Sequence, residues 1–165
     1  MRELKIRIFD KEINAGMYWY KARNPLRIVT NGVILSFAKF FPSLRVKNYL
    51  LRLTGVTVGK NVCIAPSVID PIFPELIEIG DNCIIGWGTT ILTHEIMDTE
   101  FRTGKVKIGK NTTIGANTLI LPGIHIGKNV IVGACSLVDK DIHDKSTVAG
   151  VPTKKIHIKS HKKIT

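Results

Sequence analysis

From Ile108 to His143 an aliphatic residue recurs at every sixth position: Ile108, Ile114, Ile120, Ile126, Val132 and Val138. Glycine follows four of them, at Gly109, Gly115, Gly127 and Gly133, and four places on from each aliphatic comes Thr112, Thr118, Ile124, Val130, Ser136 or Ile142. Six is neither the helical period nor that of a plain strand. Side chains four apart on an extended segment share a face, so positions one and five of each unit can both point inward. The remaining residues then turn a corner, which glycine suits because it tolerates backbone conformations and close approach that a β-carbon opposes. The pattern predicts a coiling chain of short flat strands and regular corners around an aliphatic interior. That is a parallel β-helix with coils about 4.8 Å apart.

The phase begins at Val58 and Ile64, breaks over Asp70 to Pro74, and resumes at Ile79, Ile85 and Ile91. If three hexapeptides make one coil of 18, the step from 58 to 79 is three residues too long and that from 79 to 108 is eleven too long. Both excesses read as inserted loops. Gly59-Lys60-Asn61, Gly80-Asp81-Asn82, Gly109-Lys110-Asn111 and Gly127-Lys128-Asn129 mark the same corner of four coils, where stacked Asn side chains are expected. After Val138 the pattern fades, Gly150-Val151-Pro152 closes the helix, and Thr153 to Ile158 can form one last strand.

Ahead of the repeats, Leu4, Ile6 and Ile8 alternate as in a strand, while Ile13, Met17 and Tyr20 fit a helical face. Thr30 or Asn31 can cap a helix running through Phe41, and Ser43 can start another to Leu53. Two short basic helices suit the end of a β-helix, whose apolar core needs a cover. Phe37, Phe40 and Phe41 with the surrounding Lys and Arg would also suit a peripheral membrane contact. The expected organisation is a cap segment over residues 1–55, a β-helix over 56–152 with its loop at 93–107, and a C-terminal strand and basic tail over 153–165.

At 165 residues the chain is long enough for one domain with a core. Its net charge of +11 sits at the ends: residues 1–57 carry 11 Lys and Arg against 3 acids, and residues 153–165 carry 5 against none. No nucleic-acid motif accompanies this charge, so phosphate-bearing ligands or anionic surfaces are the expected partners. Cys63, Cys83 and Cys135 have neither disulfide nor metal spacing, and no signal peptide or membrane span is evident. A cytoplasmic setting is expected.

A regular β-helix spends nearly every residue on scaffold, so the eleven-residue interruption is where chemistry is expected. His94 stands at its root, in Ile91-Leu92-Thr93-His94-Glu95. An imidazole can take the proton of an alcohol at neutral pH.

These repeats resemble the hexapeptide-repeat acyltransferase family, closest to the galactoside, maltose and virginiamycin O-acetyltransferases, over about Val56 to His157. The resemblance implies a mainly β fold: a left-handed parallel β-helix of hexapeptide repeats with a short helical N-terminal cap and an inserted active-site loop. It implies acetyl transfer from acetyl-CoA to a hydroxyl or amine of a small sugar-like acceptor, with His94 as general base. It also implies a homotrimer with active sites between subunits. Ala116 falls where relatives offer a backbone N–H near the thioester, and Ala134 where they contact pantetheine. Asp139 and Lys140 match a Thr-Lys pair along the cofactor, with Asp139 departing from the pattern. Lys154 and His157 stand where relatives carry arginines. Asp70 and Glu75 are the nearest polar candidates for the acceptor.

Two other readings stand beside this one. His125 and His143, 18 residues apart, would stack on adjacent coils, as in a metal enzyme resembling the gamma-class carbonic anhydrases. The close histidine pair of that family is absent, so no metal is expected. The other is a non-catalytic trimeric β-helix scaffold with a membrane-associating basic end.

Overall fold

A computed structural model of the chain describes residues 2–8, 19–97 and 99–156. A strand, β1 (Lys5–Ile8), and three helices, α1 (Trp19–Ala22), α2 (Pro25–Phe40) and α3 (Leu44–Leu53), precede the coils. The first coil is β2 (Thr57–Val58), β3 (Cys63–Ile64) and β4 (Val68–Ile69), and the second is β5 (Ile77–Ile79), β6 (Ile84–Ile85) and β7 (Thr90–Ile91). The chain then departs as a hairpin of β8 (His94–Ile96) and β9 (Glu100–Thr103). It returns as β10 (Val106–Ile108), β11 (Thr113–Ile114) and β12 (Leu119–Ile120), followed by β13 (His125–Ile126), β14 (Ile131–Val132) and β15 (Leu137–Val138). β16 (Thr147–Ala149) continues the stack, and β17 (Lys154–Lys155) folds back antiparallel on it.

Strands stack in parallel into three faces: β2-β5-β10-β13, β3-β6-β11-β14-β16 and β4-β7-β12-β15. The period-six aliphatics line the interior. Ile79, Ile85, Ile91, Ile108, Ile114, Ile120, Ile126, Val132 and Val138 are all buried, as are the position-five residues Cys83, Thr112, Thr118, Ile124 and Val130. Cys83 is a core residue, and burial raises its thiol pKa.

The recurrent Asn corner is a ladder. Asn61 donates to Asn82 at 3.3 Å, Asn82 to Asn111 at 3.1 Å and Asn111 to Asn129 at 3.2 Å. All four adopt positive φ, which Asn tolerates better than most L-residues. The last coil is shorter than the repeat predicts: Ile142, not Asp144, pairs with Ile126. The expected stacking of His125 and His143 is therefore corrected. Asp141 lies opposite His125 and accepts its backbone N–H at 2.8 Å.

α3 begins after Ser43 as expected, whereas α2 starts earlier than Thr30 or Asn31. Asn24 caps it by accepting from Leu26 N–H, and Pro25 occupies the first turn, where its missing donor costs nothing. Leu26 and Val29 face solvent, so the buried-face pattern did not reveal that turn. α3 closes the stack chemically. Buried Lys47 donates to the Ile64 carbonyl at 3.0 Å, Asn48 to Val62 at 2.8 Å, and Arg52 to Val58 at 2.7 Å and Gly59 at 2.9 Å. These carbonyls belong to the first coil, which has no further coil beneath it.

β1 forms as the alternation suggested, but it lies on β9 outside the coils, with Ile6 and Ile8 exposed. Ile13 and Met17 lie outside the described residues, and Tyr20 is exposed on α1. Among the described residues no helix is long and apolar enough to cross a membrane.

Candidate active site

Both phase breaks leave the β-helix at the same corner. Asp70 follows β4 and stacks beneath the segment after β7, its N–H donating to the Ile91 carbonyl. Three residues beyond Ile91 the larger loop departs, beginning with His94. Register slippage in two successive coils thus brings together residues 24 apart in sequence. His94 Nδ1 lies 2.5 Å from Asp70 Oδ2. The same oxygen accepts Thr93 N–H at 2.9 Å, and Oδ1 accepts Ile72 N–H at 2.9 Å.

The Asp70 side chain has no exposed surface. Burial alone would raise its pKa, but the hydrogen bond and charge of His94, with two backbone N–H donors, hold the carboxyl below its ordinary value. An ionised carboxylate at Nδ1 keeps that nitrogen protonated and leaves Nε2 with the lone pair. Nε2 has no hydrogen-bond partner among the described residues. The ring stacks on buried Phe101, with centroids 5.6 Å apart and planes 9° apart, and Phe73 meets it edge-on at 6.5 Å. One ring nitrogen is therefore fixed and one is available.

Asp70, considered for the acceptor, spends its carboxylate on His94 and the backbone. Glu75 pairs with Arg23, whose guanidinium lies 5.4 Å over Phe73. Its second oxygen, Oε2, is buried without a partner. Glu95, beside the histidine in sequence, pairs with Arg2 at 2.5 Å. The orienting contact to His94 was missed because a six-residue register gives no warning that two slips meet; their shared place after the third strand of consecutive coils was the available signal.

Ala116 and Ala134 stack at a different corner, between the faces headed by β3 and β4. Cys135 N–H donates to the Ala116 carbonyl at 2.8 Å, and a β-carbon on Gly115 would come within 2.4 Å of Ala134 N. The Ala116 and Ala134 N–H groups have no hydrogen-bond partner among the described residues. Lys154, exposed on β17, pairs with Ala149, which packs over Gly133 in the same column. Asp139 and Lys140 follow β15 at the His94 corner, three coils above Asp70; Asp139 Oδ1 is buried without a partner. His157 lies outside the described residues. Within one chain, then, the site candidates form two groups on two edges. Among the described residues no group of three metal-type ligands gathers.

Residues 105–140 match the family described as bacterial transferase hexapeptide (six repeats). The chain is 44% identical over 148 residues to the candidate acetyltransferase YvoF of Bacillus subtilis (strain 168), covering 88% of this chain and 86% of that protein. Its fold is similar to that of a galactoside acetyltransferase solved with coenzyme A, with a TM-score of 0.64, 23% identity and coverage of 81% and 80% of the two chains. It is also similar to that of a maltose O-acetyltransferase from Clostridium difficile 630, with a TM-score of 0.60, 23% identity and coverage of 79% and 84%. The coil is the left-handed β-helix. The chain belongs to the bacterial hexapeptide-repeat transferase family and stands among its acetyltransferases.

Proposed function

We propose that the protein transfers an acetyl group from acetyl-CoA to a hydroxyl, or an amine, of a small sugar-like acceptor, with His94 as general base and Asp70 as the residue that positions it. The observation carrying this is the tie between His94 Nδ1 and a fully buried Asp70, which leaves Nε2 free at the root of the loop. Nε2 takes the acceptor proton as its oxygen bonds to the acetyl carbon. The carbon–sulfur bond then breaks, and the imidazolium returns the proton to the departing thiolate. Asp70 stabilises the transient imidazolium in the manner of a triad carboxylate. The unpaired N–H groups of Ala116 and Ala134 suit the carbonyl oxygen and the pantetheine amide, and Lys140 and Lys154 suit phosphate.

The two edges meet if the chain forms a trimer in which His94 of one subunit faces the Ala116 edge of the next. Surface chemistry supports this. The face headed by β2 turns out Thr57, Glu78, Lys107, His125 and Asp141, whereas the other two turn out Ile84, Ile131, Val68, Leu119 and Leu137 among threonines. Charged residues favour solvent and aliphatic ones favour a neighbour. α2 crosses near Ser67 and Pro71 at the edge between these two faces, and its exposed Val33 and Phe37 are offered to the same neighbour.

The test is thiol release from acetyl-CoA across a panel of sugars, in wild type and in His94→Asn, whose amide can still donate to Asp70. Loss of a general base costs on the order of 10²- to 10⁴-fold in turnover. CoA should continue to raise the thermal midpoint of both proteins. Equal turnover in the two would remove His94 from the chemistry.

A further inference from the structure

The loop hairpin does not stand alone, because β1 adds to it as a third antiparallel strand. The register aligns Lys5 with Thr103 and Thr103 with His94; two residues on, Arg7 aligns with Phe101 and Phe101 with Ile96. Residues directly opposite in an antiparallel sheet project from the same face, as do residues two apart on one strand. Lys5 and Arg7 therefore share a face with His94, two strands away, or about 10 Å between backbones. The flat stacking of His94 on Phe101 is the same alignment seen in side chains.

That face borders a cavity of about 250 Å³ lined by Lys5, Arg7, Ala22, Phe73, Phe101 and Thr103. Lys5, Phe73 and Thr103 also line a wider groove of about 800 Å³ that continues to Lys105. The other charges on the groove are mostly committed: Arg2 to Glu95, and Lys105 to Glu78 at 2.7 Å. Glu3 lies at the far end, where it shares a small cavity with Lys105 and Lys107. Lys5 and Arg7 have no ion-pair partner among the described residues. Two uncommitted cations thus share with the free imidazole a concave, aromatic-floored surface.

We infer that Lys5 and Arg7 form a subsite for a negatively charged group on the acceptor, a carboxylate or phosphate one sugar ring away from the hydroxyl presented to His94. This rests on the acetyltransferase reading and specifies its acceptor as an anionic sugar. A pyranose ring with its exocyclic substituent spans the gap between an imidazole and a Lys or Arg head group anchored about 10 Å apart at the backbone. Arg7 can grip either anion with two parallel hydrogen bonds, whereas Lys5 acts as a point charge.

The test measures thermal midpoints with saturating CoA, in wild type and in a Lys5→Gln/Arg7→Gln variant, on adding glucuronate, glucose 6-phosphate, glucose, or inorganic phosphate at matched ionic strength. The expected result is a larger upward shift from a charged sugar than from glucose or phosphate alone, lost in the variant while the shift from CoA persists. A stronger response to glucuronate assigns a carboxylate, and to glucose 6-phosphate a phosphate. Charged sugars acting no better than glucose or phosphate, or acting equally on the variant, overturn the subsite alone. Absence of any CoA shift in wild type overturns the acetyltransferase reading and the subsite with it. For a charged sugar that is acetylated, each single substitution should raise KM about tenfold or more with kcat little changed, as expected for loss of a charge-assisted hydrogen bond away from the reacting atoms.

Discussion

His94 and Asp70 divide one task. The imidazole supplies basicity, and the carboxylate decides which nitrogen has it. Asp70→Asn would leave a single acceptor oxygen where three donors converge, and its amide would oppose Nδ1–H. Turnover should fall on the order of 10²- to 10⁴-fold with acetyl-CoA binding retained, measured by thiol release and by thermal shift. The carboxyl also couples to stability. Its folded pKa lies below the ordinary value, so its ionised form stabilises the fold fully above about pH 4 and progressively less as pH falls through the depressed folded value. Urea unfolding at descending pH should therefore show wild type losing its advantage over Asp70→Asn below about pH 4; a gap constant down to pH 2 would contradict this linkage. His94 was legible in the sequence because it stands at the root of an interruption in a regular pattern. Asp70 was visible as a phase break, but its partner was not, because contact across coils depends on how many residues each inserted loop consumes.

The coil is an element whose corners matter as much as its strands. Asn111 sits inside the ladder with φ of 58° and hydrogen bonds to the coils above and below. Asn111→Ala loses both bonds and places a β-carbon in the left-handed region, at a cost of about 2 kcal/mol; Asn111→Gly loses the bonds without that strain, at about 1 kcal/mol. Chemical denaturation of both variants checks the order, and Gly as the more damaging change would refute the ladder's backbone role. This corner was readable from recurring Gly-x-Asn triplets. The first turn of α2 and the shortened final coil were not. An exposed first turn leaves no buried stripe, and a two-residue deletion is silent where the aliphatic pattern has already faded.

For the whole molecule, the unequal faces set the association. Ile131 and Ile84 project from the face headed by β3, half exposed in the single chain. Ile84→Asp/Ile131→Asp would bury like charges at a subunit contact, so light scattering should report a monomer with much reduced transfer, since His94 and the Ala116 edge would no longer meet. A trimer surviving this change would place the interface elsewhere. The amino-acid sequence by itself determined the β-helix, its coil count, its inserted loop and the histidine at the loop's root, because each is a local periodicity or its interruption and periodicity survives without coordinates. Only the tertiary structure decided that Asp70 holds His94, that β1 extends the loop into a three-stranded sheet, and that the site candidates occupy two separate edges. Those are distances between segments whose register is set by packing and loop length, and no spacing along the chain encodes them.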